Sequence, residues 1–97
     1  MSENLEAIVM RVDGTKETVP LPITAGDRLK ELQRLVGGFI EVVPLKDGRY
    51  LVVHKDEKMR PHSRNATATA LVQFDGWVAA DDYIAGTAVI VEEDALQ

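Results

Sequence analysis

Residues 29–54 read LKELQRLVGGFIEVVPLKDGRYLVVH and change period half-way. Leu29, Leu32, Leu35 and Val36 recur at helical spacing, so one apolar stripe runs along about three turns. Arg28, Lys30, Glu31, Gln33 and Arg34 then take the wet side. Thr24 or Asp27 can accept the free amide hydrogens at the helix start, and Gly37 can take the left-handed conformation that ends it. From Phe39 to Val43 almost every residue favours a strand. Asp47-Gly48 supplies a turn, and Arg49 to His54 returns. Tyr50-Leu51-Val52-Val53 is apolar on both faces, which places this hairpin centrally in a sheet.

Before this segment, Leu5 to Val12 reads as a strand, Asp13-Gly14 as a tight turn and Thr15 to Val19 as the return strand. Pro20-Leu21-Pro22 marks either a strand exit or an exposed edge, because proline cannot donate to a ladder. After it, Lys55 to Arg64 is a polar connection. Asn65 can cap a short helix through Ala66, Ala68, Ala70, Leu71 and Val72, although Thr67-Ala68-Thr69-Ala70 also permits a strand. Phe74, Trp77 and Val78 are expected to close over one end of the core. Asp81-Asp82 can cap a single turn through Tyr83 and Ile84, Thr87 to Val91 forms a last strand, and Glu92 onward is tail. The expected class is α+β: a mostly antiparallel five-stranded sheet with one main helix packed on it and a short second helix, in the order strand-strand-helix-strand-strand-short helix-strand.

Ninety-seven residues suit one compact domain, with an ordered core over about 5–92 and a short acidic tail. Cysteine is absent, so thiolate nucleophiles, thiolate metal sites and disulfides are excluded together. The acidic start and the lack of a long apolar run point to a cytoplasmic protein with no membrane segment. The net charge of -5 disfavours neutralisation of nucleic-acid phosphates as the main task. Its distribution is uneven: residues 1–65 hold all 11 basic residues and balance at about +1, whereas residues 66–97 hold only acids and balance at about -6.

Leu32-Gln33-Arg34-Leu35-Val36-Gly37-Gly38-Phe39-Ile40-Glu41-Val42-Val43 resembles the central motif of the domain of unknown function family 3846, small proteins common in phages, plasmids and other mobile elements. Leu51-Val52-Val53 resembles that family's following strand. Asn65 with Ala68-Thr69 resembles its Asn-Pro-Arg-Ala-Thr segment, with Ala66-Thr67 standing where Pro-Arg is frequent. Ile84-Ala85-Gly86-Thr87-Ala88-Val89 resembles its closing strand. The resemblance implies a mobile-element origin, a bacterial or archaeal host cell and no established activity.

Two groups of residues are candidates for contact with another molecule. Lys55, Lys58, Arg60 and Arg64, with His54 and His62, form a basic loop that meets the helix start at Asn65, a combination suited to a nucleotide-like anion. Asp75, Trp77, Asp81 and Asp82 combine acid with a large ring and suit a protein partner. His54, His62, Asp56 and Glu57 offer nitrogen and oxygen ligands, but their spacing matches no established metal site, and two exposed histidines are expected instead. His62-Ser63 lacks an orienting acid and an oxyanion site. No catalytic residue, metal or cofactor is therefore assigned. The expected function is a non-enzymatic acidic interaction module that binds a host protein, with the anion-binding loop as the alternative.

Overall fold

The computed structural model describes residues 5–55, 64–74 and 83–96. The elements are β1 (Leu5–Met10), β2 (Lys16–Leu21), α1 (Ala25–Val36), β3 (Ile40–Pro44), β4 (Arg49–His54), α2 (Ala66–Phe74) and β5 (Ala88–Glu92), followed by a 3₁₀ turn over Glu93–Leu96. The strands form one sheet in the order β2-β1-β5-β4-β3, antiparallel at every pairing. The expected class and element order are those observed. β4 lies inside the sheet, between β5 and β3, as its two apolar faces require, but β3 is an edge strand, which corrects the expectation that the whole hairpin is central.

Strand alternation sends β5 side chains to two cores. On one face Val89 and Val91 join Ala7, Val9, Leu21, Val52 and the α1 residues Leu32 and Val36. On the other, Ala88 and Ile90 join Met10, Leu51, Val53 and the α2 residues Ala68 and Val72. The two helices therefore cover opposite faces.

The phase of α1 differs from the expected stripe. Arg28, Leu32 and Val36 face inward, whereas Leu29 is 45% exposed. Arg28 tolerates burial because backbone carbonyls receive its guanidinium: Nε donates to Ala95 O at 2.9 Å, and Nη1 donates to Pro22 O at 3.3 Å and to Ile23 O. Its alkyl stem adds apolar surface to the helix face. The residues expected as a tail are held by the same contact. Ala95 is buried, and Leu96 packs on the α1-side core, while Glu93 and Asp94 stay exposed.

Both hairpins turn through three residues. Arg11 N–H donates to Thr15 O at 3.0 Å and Gly14 N–H to Arg11 O at 3.0 Å. Leu45 N–H donates to Arg49 O at 2.8 Å and Gly48 N–H to Leu45 O at 3.3 Å. In each loop only the glycine has positive φ, so the aspartate keeps an ordinary backbone and accepts a bond from two residues on: Thr15 N–H to Asp13 at 2.9 Å and Arg49 N–H to Asp47 at 3.1 Å. Pro20 sits within β2 on the sheet edge, which resolves the choice between exit and edge.

Candidate functional site

Asn65 is fully buried, and its side chain is committed to the fold. Oδ1 accepts from Ala68 N–H at 3.1 Å, the capping bond expected at the start of α2. Nδ2 donates to Met10 O at 2.9 Å and to Gly86 O at 2.8 Å, so both amide hydrogens are used. Its backbone N–H donates to Ile84 O at 2.8 Å. One turn further along α2, Thr69 Oγ1 accepts from Ile84 N–H at 2.8 Å and lies 3.3 Å from Ile84 O. Together these residues clamp α2 to the end of β1 and to the segment entering β5. In the sequence Thr69 stands within the resemblance and has no assigned contact; its offset of four from the capping Asn65 is the signal, since i and i+4 share a helix face.

A second junction lies where α1 hands over to β3. Gly37 ends α1 at φ 92°, with its N–H on Gln33 O at 2.8 Å, and Gly38 N–H reaches the same carbonyl at 3.0 Å. Gly38 then passes directly over His54. A Cβ on Gly38 would stand 2.8 Å from Cδ2 of that ring and closer still to Nε2. His54 is only 6% exposed, which corrects the expectation of a solvated histidine. By strand alternation it shares the α1 face with Tyr50 and Val52, and Ile40 is its register partner on β3. The paired glycines thus have separate duties: one ends the helix, and the other admits the imidazole.

Of the anion-binding candidates, Lys55 is exposed and its N–H donates to Phe39 O at 2.9 Å. Arg64 is exposed, pairs with Ala85 through an isolated bridge and holds its guanidinium carbon 5.3 Å from the Tyr83 ring centroid. Asn65, expected to contact the anion, has no amide hydrogen left to offer. Lys58, Arg60, His62, Asp56 and Glu57 lie outside the described residues, as do Asp75, Trp77, Asp81 and Asp82. Phe74, expected to close the core, ends α2 with its ring 86% exposed. Tyr83 and Ile84, expected in a helical turn, form none; Ile84 is instead the backbone partner of Asn65 and Thr69.

Among the described residues, no group of three His, Asp or Glu side chains is placed to hold a metal ion, and no buried side-chain nitrogen or oxygen lacks a hydrogen-bond partner. No described helix is long and apolar enough to cross a membrane. The perturbed acids are not in the core: the Thr15 hydroxyl, then its N–H, holds Asp13 below the usual aspartate range, the Arg49 side chain, then its N–H, does the same for Asp47, and the Arg34 side chain holds Glu31 below the usual glutamate range.

The arrangement is that of an antiparallel sheet between two helices, with Gly37-Gly38 and Asn65 with Thr69 as its joints. The chain belongs to the family described as domain of unknown function (DUF3846), which it matches over residues 5–96. No curated protein and no solved structure matches it.

Proposed function

We propose that this protein is a non-catalytic interaction module of phage or mobile-element type, acting in the cytoplasm of its host by covering part of a host protein. The observation that carries this reading is where its aromatic surface lies: the rings of Phe39 and Phe74 are 74% and 86% exposed, although a small core gains from every ring it can bury. Rings left in water are the kind of anchor that protein interfaces use. The acid excess after residue 65 supports a partner with a basic surface. The alternative, an anion held by Lys55, Lys58, Arg60 and Arg64, is weakened by the commitment of Asn65 to backbone carbonyls.

The test is capture from host lysate on immobilised protein. A stoichiometric protein is expected at low salt, with less bound at high salt, on Phe39→Ser with Phe74→Ser, and on Asp81→Asn with Asp82→Ser. Recovery of no protein at low salt overturns the proposal. Stabilisation by nucleotides that grows with their concentration, lost in Arg64→Ala, would favour the alternative.

A further inference from the structure

Among the described residues β3 ends the sheet on one side, and its outer edge has a definite hydrogen-bonding pattern. Opposed residues of an antiparallel pair alternately exchange both backbone bonds and none. Lys55 N–H donates to Phe39 O and Leu45 N–H to Arg49 O, so in this register Glu41 and Val43 carry the ladder to β4. Ile40, Val42 and Pro44 turn their backbone groups outward. Ile40 and Val42 each present an N–H and a carbonyl, and Pro44 a carbonyl alone, so complete pairing stops there.

The opposite edge, β2, is guarded differently. Lys16, Glu17 and Thr18 are exposed, and Arg11 pairs with Glu17 at 2.9 Å beside them. Lysine and ion pairs at an edge discourage the addition of another strand. β3 carries one charge, Glu41, among Ile40, Val42 and Val43, with the exposed ring of Phe39 just before it.

Glu41 also bears on self-pairing. In two antiparallel copies of β3, the register in which Ile40 and Val42 exchange all their outward bonds sets the two Glu41 side chains directly opposite each other, an unfavourable like-charge pair. Centring on Val42 instead faces Ile40 with Pro44, which has no N–H to give the Ile40 carbonyl, and leaves the two carboxylates diagonal neighbours.

We propose that the open edge of β3 takes up an extended segment of a partner protein as a sixth, antiparallel strand. Glu41 selects a segment with Lys or Arg opposite it, flanked by apolar residues facing Ile40 and Val42, and rejects a second copy of this chain. This rests on the reading of the protein as an interaction module and names the place and chemistry of contact.

The E41K chain is itself the probe, since its β3 reads Ile-Lys-Val. Wild type and E41K should each sediment as monomers. An equimolar mixture should form a heterodimer of twice the 10.7 kDa mass, about tenfold tighter than either homodimer and weaker in high salt. Amide resonances of Ile40 and Val42 should shift on mixing. Val42→Pro in the E41K chain removes an outward donor without touching the β4 ladder, so it should abolish the heterodimer while circular dichroism shows a folded chain. A mixture that stays monomeric at about 1 mM with both chains folded overturns the proposal, as does wild type that dimerises alone through β3, or a heterodimer indifferent to Val42→Pro. The interaction-module reading is separable: a lysate partner held equally by wild type and Val42→Pro sinks the β3 edge and spares that reading.

Discussion

α1 and α2 lie on opposite faces of one sheet and are held by different physics. α1 has twelve residues and a strong apolar side, starts at Thr24 without a side-chain capping bond, and is placed by burying Leu32 and Val36, with the Arg28 guanidinium on the Pro22, Ile23 and Ala95 carbonyls as its directional contact. α2 has nine residues and no charged side chain in its first or last turn, and it starts at an asparagine with three side-chain hydrogen bonds. Burial is non-directional, so the start of a long amphipathic helix needs no side-chain cap when its apolar face and one buried arginine already place it. A short, alanine-rich helix offers less apolar area, and hydrogen bonds, being directional, supply the address that burial leaves vague.

The largest expected effect is at that address. Asn65→Ala should remove the cap of α2 and leave the Met10 and Gly86 carbonyls and the Ala68 N–H without their partner, at about 3–5 kcal/mol. Asn65→Asp keeps the shape but points a buried carboxylate at two carbonyls, and it should be at least as damaging. Thr24→Ala, the corresponding change at α1, should stay within about 0.5 kcal/mol, because that side chain makes no capping bond. Urea midpoints of the three variants check the contrast; equal losses at Asn65 and Thr24 would break it.

Next is the joint where α1 meets the sheet. Gly38→Ala drives a methyl group into the His54 ring, an overpacking expected to cost about 1–3 kcal/mol. Since the clash is with one side chain, His54→Ala should restore most of that loss in the double variant, and a coupling near zero in the thermodynamic cycle would refute the contact. Thr69→Val is smaller again. It keeps the volume, removes the bonds to Ile84 and should cost about 1–2 kcal/mol, with Thr69→Ser nearer wild type.

The parts of the fold that were legible in the sequence are those set by periodicity and turn chemistry. Leu32 and Val36, the β3–β4 hairpin, the apolar run of β5 and the cap at Asn65 all follow from spacing within a dozen residues. Arg28 does not, because its burial depends on a carbonyl of Ala95, 67 positions away, and no local rule favours Arg28 over Leu29 as the inward residue. His54 reads as a polar strand end until Gly38 is seen lying across it. The basic cluster looked like one site because its members are neighbours in sequence. Folding separates their roles, turning Asn65 inward and leaving Lys55 and Arg64 in water. Gly37-Gly38 and Asn65 with Thr69 are joints between helix and strand.

The weakest anchors are the hairpin turns, where directional bonds form in water. Asp13 is held mainly by a neutral donor, Thr15 Oγ1 at 2.7 Å, with a smaller pull from the Arg11 charge, and Asp47 by a charged donor, Arg49 Nε at 2.7 Å. Both carboxyls are lowered from their ordinary values, so each turn's contribution is present above the unfolded aspartate value of about 4 and is lost as pH falls through the lower folded value. Asp13→Asn and Asp47→Asn should therefore each lower stability above about pH 4, where the contribution is present, and reduce the further loss on acidification below it. Salt separates them. At about 1 M the Debye length shrinks to about 3 Å, so the Asp47 effect should shrink more than the Asp13 effect. Thermal melts of both variants across pH at low and high salt test this; equal salt sensitivity would mean that the Arg49 charge adds nothing beyond an ordinary turn.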